Sequence, residues 1–294
     1  MSQGGFIGLG SMGGGMCLNL LEADTDLMVF DLDEAAMQPI VEAGADAAES
    51  VTDLARESDI VMLSLPGPDQ VLTVVEDIRA ELSEGDVLID LTTSTPTTTQ
   101  AFSETLIAQS IEVLSAPVSG GPSGANDGTL SVMIGGDHDV FEQCRDLFEI
   151  IGADLFYIGE QPRLGHAMKL VNNYLSFVAM ICTSEAVAMG EQVGLDMETM
   201  VDVFNASSGR NTATSFKFPE YIIPEDYDMG YSMGLVEKDM QLLMDVADET
   251  RTPFMIGGTI RQMIAYIRGE LGPDADYTEI YKYFDETMGD PIRH

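Results

Sequence analysis

The sequence predicts a doubly wound α/β domain followed by an all-α domain. Three observations carry this. Short β-rich runs alternate with helical patterns through the first half, the β-branched runs cease after Ile158, and only helix-period segments follow. In chain order, strands are expected at 5–9, 27–31, 59–65, 87–91, 111–116, 130–135 and 154–158. Between them, helical spacing marks 12–21, 34–43, 69–82, 96–109 and 138–150, with helix-start residues ahead of several. Strands that alternate with helices imply parallel βαβ units, hence a Rossmann-like sheet over 1–161. Beyond it, 165–193 reads as one long helix, and 197–207, 230–249, 252–268 and 278–288 as further helices, giving an all-helical domain over 162–294.

Charge narrows the partners. Fifty Asp and Glu face 13 Lys and Arg, a formal net charge of −37, spread along the chain rather than blocked into a tail. Such a coat repels nucleic acid and anionic membrane, so neither is expected as a partner. Its self-repulsion opposes folding unless counter-ions screen it, which points to a protein suited to high salt, as in a halophile. Hydrophobic residues make up 45% of the chain, enough for a sizeable core. Cys17, Cys144 and Cys182 lack metal-ligand or CxxC spacing and read as small buried hydrophobes in a reduced compartment. The apolar stretch 174–189 is interrupted by Glu185 and reads as a buried helix rather than a membrane span. The opening Met-Ser-Gln-Gly-Gly has no basic segment of a secretory leader, so a cytoplasmic location is expected.

The first strand runs into Gly8-Leu9-Gly10-Ser11-Met12-Gly13, which opens the first helix. In such a loop Gly8 makes the tight turn, Gly10 admits backbone N–H groups to a pyrophosphate, and Gly13 lets helix and strand pack closely. The helix N-terminus then presents its positive dipole end to the phosphates. Asp31 ends the second strand, where an acid accepts hydrogen bonds from ribose hydroxyls. With Asp33 beside it and no arginine near, it disfavours a 2′-phosphate, so NAD is expected over NADP.

Lysine occurs only at 169, 217, 238 and 282. Lys169 lies within an apolar helix, with Asn172 and Asn173 three and four residues on, so the three share a face. The lysine either snorkels to the surface or faces a nucleotide cleft, where partial desolvation would lower its pKa and suit it to acid–base chemistry. His166 is a minor proton-carrier candidate and reads rather as a helix-surface residue. His138 and His294 have no carboxylate or cysteine at ligand spacing, and no metal site is expected.

Four separated motifs resemble those of the β-hydroxyacid dehydrogenase family. They are the loop just described, continuing to Met16 and Asn19-Leu20; Ala116-Pro117-Val118-Ser119-Gly120-Gly121-Pro122, followed by 128–136; Gly165-x-x-x-Lys169-x-x-Asn172-Asn173; and Lys238-Asp239. The resemblance spans nearly the whole chain. It implies a substrate carboxylate held by Ser119 and the amides of Gly120 and Gly121, with Lys169 as the acid–base residue. It also implies substrate positioning by Asn173 with Asn172, and cofactor contacts from Leu65, Pro66, Thr93 and Lys238. Arg163 and Cys17 depart from the usual pattern without touching this chemistry. A 6-phosphogluconate dehydrogenase would carry His-Asn-Gly after the lysine, whereas this chain has Asn172-Asn173-Tyr174.

The expected function is NAD-dependent interconversion of a small 3-hydroxy acid and its 3-oxo acid by a homodimer or homotetramer. The alternatives are a non-catalytic NAD-binding sensor or assembly protein, or a reductase of the same family preferring NADPH.

Overall fold

In the computed structural model, which describes residues 3–287, nine strands form one sheet. They are β1 (Gly4–Ile7), β2 (Leu27–Phe30), β3 (Asp46–Ala47), β4 (Ile60–Leu63), β5 (Val87–Asp90), β6 (Glu112–Ser115), β7 (Val118–Ser119), β8 (Leu130–Gly135) and β9 (Gly152–Gly159). The order is β3-β2-β1-β4-β5-β6-β8-β7, with β9 paired to β8. From β3 to β6 every pairing is parallel, the strand order of a Rossmann sheet. The expected α/β class is therefore observed.

One local expectation changes. β8 runs antiparallel to β6 and β7, and only β9 is parallel to it. Between Ser119 and Leu130 lie a seven-residue helix and its turns, short of the crossover that a parallel return requires.

Helices α1 (Gly13–Glu22), α2 (Glu34–Glu42), α3 (Val51–Glu57), α4 (Pro68–Ile78), α5 (Pro96–Ile107), α6 (Gly121–Asp127) and α7 (His138–Ile151) connect the strands. Several start where a side chain takes up a free backbone N–H: Asp33 caps α2, Ser50 α3, Thr95 α5 and Asp137 α7. The strands are buried on both faces with period two. Phe6, Met62, Ile89 and Leu114 point into one core cluster, and Ile7, Leu63, Leu88 and Val113 into the other. Burying each such side chain stabilises the fold by about 1.5–3 kcal/mol, and this alternation demands helices on both faces.

The long helix α8 (Arg163–Gln192) follows. The compact units of the chain divide inside it, at Lys169/Leu170; the sequence-based boundary at 161/162 lies at its start. The second unit contains α9 (Met197–Ala206), α10 (Met233–Glu249), α11 (Met255–Leu271) and α12 (Ile280–Thr287). Their core joins Phe177 and Ile181 of α8 to Val236 and Met240 of α10 and Ile260 and Ile264 of α11.

Three expectations are corrected here. Residues 213–222, where no element is expected from the sequence, form a π-helix, Ala213–Ile222. Pro219 lies inside it and brings no N–H, so a regular α ladder cannot run through unbroken. Cys17 and Cys144 are buried as expected, but Cys182 is exposed on α8. α8 itself is amphipathic rather than buried all round, with Val171, Leu175 and Met189 exposed. No helix among the described residues is long and apolar enough to cross a membrane. The expected helix end at Met288, and His294, lie outside the described residues.

Candidate active site

Parallel register brings the predicted cofactor residues of the first unit to one edge of its sheet. Ile7 aligns with Phe30 and Leu63, Leu63 with Asp90, and Asp90 with Ser115. The segments that leave the sheet just beyond these residues carry Gly8, Asp31, Leu65-Pro66 and Thr93, and the short strand β7 that follows β6 carries Ser119. The carboxyl ends of such strands are where ligands bind in open α/β sheets.

The glycine loop meets each demand set for it. Gly8 has φ +97°, and a Cβ there would strike the Ser64 carbonyl. A Cβ on Gly13 would collide with the Gly8 carbonyl oxygen, whereas Gly10 has nothing within 4 Å of that position. The loop is thus tight at both ends and open in the middle, as a pyrophosphate cradle requires. Ser11 is exposed and Met12 half-buried at the entry to α1. Asp31 has a task the sequence did not reveal. One carboxylate oxygen accepts the Leu9 N–H at 2.6 Å and the other the Asp33 N–H at 2.8 Å. Each oxygen keeps lone-pair capacity for a ribose hydroxyl, so the same side chain can latch the loop and read the sugar.

At the neighbouring strand ends, the Leu65 N–H donates to Thr92 Oγ1 at 3.0 Å, and the Thr92 N–H donates to Asp90 Oδ1 at 3.0 Å. Thr93 is half-buried and Pro66 exposed. Asp90 and His166 are both fully buried, with Oδ2 and Nε2 3.5 Å apart. Thr99 Oγ1 donates its single proton to the Thr95 carbonyl, so at 2.6 Å it accepts from His166 Nδ1–H. That leaves the Nε2 lone pair facing Asp90. Burial pushes Asp90 up to about 7, against hydrogen bonds from Thr92, and pushes His166 down to about 3, against the Thr92 and Asp90 carbonyls. The pair is held neutral, with the proton on the acid. His166 is therefore a core residue, not the helix-surface residue expected.

Ser119 is half-buried at the end of β7, and Gly120 and Gly121 turn the chain into α6 with φ +141° and +68°. Nearby, α8 packs its first turn against the strands through Gly165, where a Cβ would meet Ser115 Oγ and the Met133 carbonyl. Four residues on, Lys169 is 7% exposed. The sequence left open whether this lysine snorkels to the surface, and its burial excludes that.

In the second unit Asn173 is buried, Asn172 half-buried, and Asp239 gathers a cluster. Its Oδ2 accepts Asn173 Nδ2 at 2.9 Å and Tyr231 Oη at 2.6 Å, while Lys238 Nζ stands 3.0 Å from Oδ1. With its amide nitrogen committed to Asp239, Asn173 presents its carbonyl oxygen as an acceptor. Burial and then the Asp239 charge hold the Tyr231 phenol well above its usual range, so it remains a donor.

Residues 3–159 match the NAD-binding domain of 6-phosphogluconate dehydrogenase, and residues 164–284 match the NAD-binding domain of NADP-dependent 3-hydroxyisobutyrate dehydrogenase. A 2-(hydroxymethyl)glutarate dehydrogenase of Eubacterium barkeri is 34% identical over 97% of this chain and 95% of its own. The chain belongs to the β-hydroxyacid dehydrogenase family. Another relative of this β-hydroxyacid dehydrogenase is the NAD-dependent L-serine dehydrogenase of Pseudomonas aeruginosa, 34% identical over 98% of this chain and 100% of the relative. Among solved structures, the Mycobacterium tuberculosis 3-hydroxyisobutyrate dehydrogenase with L-serine superposes with a TM-score of 0.90. It is 27% identical and covers 96% of this chain and 99% of its own.

In this β-hydroxyacid dehydrogenase Asp239 was named in the Lys238-Asp239 motif but received no role, because an acid among fifty carries no signal, and Tyr231 went unread. For Asp239 the clue was its place beside Lys238; for Tyr231 the sequence offered none.

Proposed function

We propose that the protein is an NAD-dependent dehydrogenase that interconverts a small 3-hydroxy acid and its 3-oxo acid. The observation that carries this reading is the burial of Lys169 and Asn173 one turn apart on α8 in a member of this family. The family's dinucleotide loop, intact in shape, supports it.

Bound NAD would supply the hydride acceptor. The chain's own groups do the rest. Ser119 and the amides of Gly120 and Gly121 hold the substrate carboxylate, since consecutive unobstructed N–H groups form an anion-binding concavity. The Lys169 amine takes the hydroxyl proton as the substrate is oxidised and returns it on reduction. Asn173, oriented by Asp239, offers its carbonyl oxygen to the substrate hydroxyl, with Asn172 beside it. Gly8, Leu9, Gly10, Ser11, Met12 and Gly13 carry the pyrophosphate. Asp31 binds the ribose and favours NAD over NADP, and Leu65, Pro66, Thr93 and Lys238 complete the cofactor contacts.

The two domains of this reading divide at 161/162. The enzyme works in the cytoplasm as a homodimer or homotetramer, in keeping with its unpaired cysteines and with the apolar residues exposed along α8. The test is turnover of a panel of 3-hydroxy acids at high salt with each cofactor, followed by absorbance of reduced nicotinamide. Lys169→Ala should abolish turnover while NAD binding stays within a few-fold. Full activity in that variant would refute the assignment, and NAD binding without turnover of any acid by the parent chain would favour the sensor.

A further inference from the structure

Lys217 is the second buried lysine of the chain, and no carboxylate among the described residues pairs with it. It sits on the π-helix Ala213–Ile222 and is 3% exposed. Its ammonium donates to Ser176 Oγ at 3.0 Å and Thr212 Oγ1 at 3.2 Å, and lies 5.5 Å from the centre of the Tyr277 ring. All three partners are neutral. In a chain with 50 acidic side chains, a buried cation left without an acid stands out, because taking a charge out of water costs several kcal/mol unless an opposite charge or strong hydrogen bonds compensate. Burial lowers its pKa only to about 8, so at neutral pH the cation persists.

Where it sits suggests what completes it. Ser176 is half-buried and Thr212 exposed, so the residues that hold the ammonium lie at the margin of the helical unit's core. Ser176 follows Asn173 by three residues on α8 and therefore shares its face, about 4.5 Å further along the axis. Tyr277 donates to the Ser176 carbonyl at 3.0 Å and meets Tyr231 edge-on at 5.8 Å, and Tyr231 bonds Asp239, the partner of Asn173. Lys217 thus belongs to the same packed cluster as the residue assigned to substrate positioning.

We infer that Lys217, with the Ser176 and Thr212 hydroxyls, is a subsite for a second carboxylate of the substrate, which makes the preferred substrate a dicarboxylic 3-hydroxy acid. This rests on the function proposed above. When the carboxylate arrives, the flexible lysine stem turns the ammonium from two neutral acceptors to an anionic one, and the two hydroxyls are released to donate as well.

The experiment compares kcat/KM for 2-(hydroxymethyl)glutarate and for 3-hydroxypropionate in the parent enzyme, Lys217→Met and Lys217→Arg, at fixed KCl. The parent should prefer the dicarboxylate at least tenfold. Lys217→Met should lower that ratio at least tenfold, chiefly through KM, and should melt no lower than the parent, because an apolar side chain of similar length replaces an uncompensated charge. Lys217→Arg should retain most of the preference. A parent that prefers the monocarboxylate, or a Lys217→Met variant that loses both activities in equal measure, overturns the subsite. If no hydroxy acid turns over, the proposed function has failed, and calorimetry still decides the subsite in the presence of NAD. Glutarate binding at least tenfold tighter than butyrate to the parent, and not to Lys217→Met, upholds it. Equal binding of the two overturns it. If Lys217→Met does not fold, Lys217→Gln takes its place in the same comparison.

Discussion

Replacing Asp90 by Asn should change how stability depends on pH, in a direction opposite to the intuition that burying a neutral amide in place of a buried acid is inert. Asp90 carries a pKa of about 7 in the folded chain, against about 3.9 when unfolded. Between those values the fold holds a proton that the unfolded chain has released, so raising the pH removes stability at about 1.4 kcal/mol per unit, roughly 4 kcal/mol over the window. His166 acts with the opposite sign. Its pKa of about 3 lies below its unfolded value of about 6.5. Below pH 6.5 the unfolded chain therefore takes up a proton the fold refuses, and stability rises with pH from about 3 to about 6.5. From about pH 4 to 6.5 the two slopes cancel, since folded and unfolded chains bind the same number of protons at this pair and differ only in which residue holds one. Asp90→Asn breaks the cancellation. Its unfolding free energy relative to the parent should climb by about 1.4 kcal/mol per pH unit between pH 4.5 and 6.5, while His166→Gln should fall by a similar amount. Urea melts at fixed KCl across that range measure both, and subtracting the parent removes the large background from the other carboxylates. A difference independent of pH would mean that Asp90 is ionised in the fold at pH 5, and the neutral-pair argument would be wrong.

Four further outcomes follow from the dinucleotide loop and the charge of the chain. Gly10→Ala should leave stability within about 0.5 kcal/mol yet raise KM for NAD on the order of tenfold. Gly13→Ala should cost about 1–3 kcal/mol of stability or more, because its methyl group meets the backbone carbonyl of Gly8; thermal melts and cofactor titration separate the two. Asp31→Ser should narrow the NAD-to-NADP preference at least tenfold. It should also cost about 1 kcal/mol through loss of the Leu9 N–H acceptor, and an unchanged cofactor ratio would remove Asp31 from cofactor choice. Melting temperature should rise between about 0.1 and 2 M KCl as the screening length drops from about 10 Å to below 3 Å; indifference to salt would contradict the reading of the acidic surface.

Legibility in the sequence tracked how tightly the backbone constrains residue choice. The glycine loop was readable because Gly8 and Gly13 fill positions where a Cβ cannot stand, and the sheet because alternate residues such as Phe6 and Ile7 serve opposite cores. Lys169 stood out through the rarity of its type. β7 and α6 were missed because a two-residue strand and a seven-residue helix offer no period to detect. The π-helix escaped for a related reason, as its repeat differs from the 3.6-residue pattern that marks helices. His166 was misjudged because the apolar stretch of α8 does not show which face packs against the strands. Its depth depends on Asp90 and Thr99, which are distant in sequence and close only after folding.

The packing of α1 on α6 has a thermodynamic corollary. A Cβ on Gly15 of α1 would press into Asn126 and the Ala125 backbone, and the Asn19 amide donates to the Ala125 carbonyl at 2.7 Å. The helix that opens at the dinucleotide loop is therefore fastened to the helix that opens at the Ser119-Gly120-Gly121 turn. A ligand that stiffens one loop stiffens the other through this contact, and linkage makes the effect mutual. The coupling is then a property of the scaffold, set where Gly15 and Asn19 of α1 meet Ala125 and Asn126 of α6, beyond the first residues of either helix.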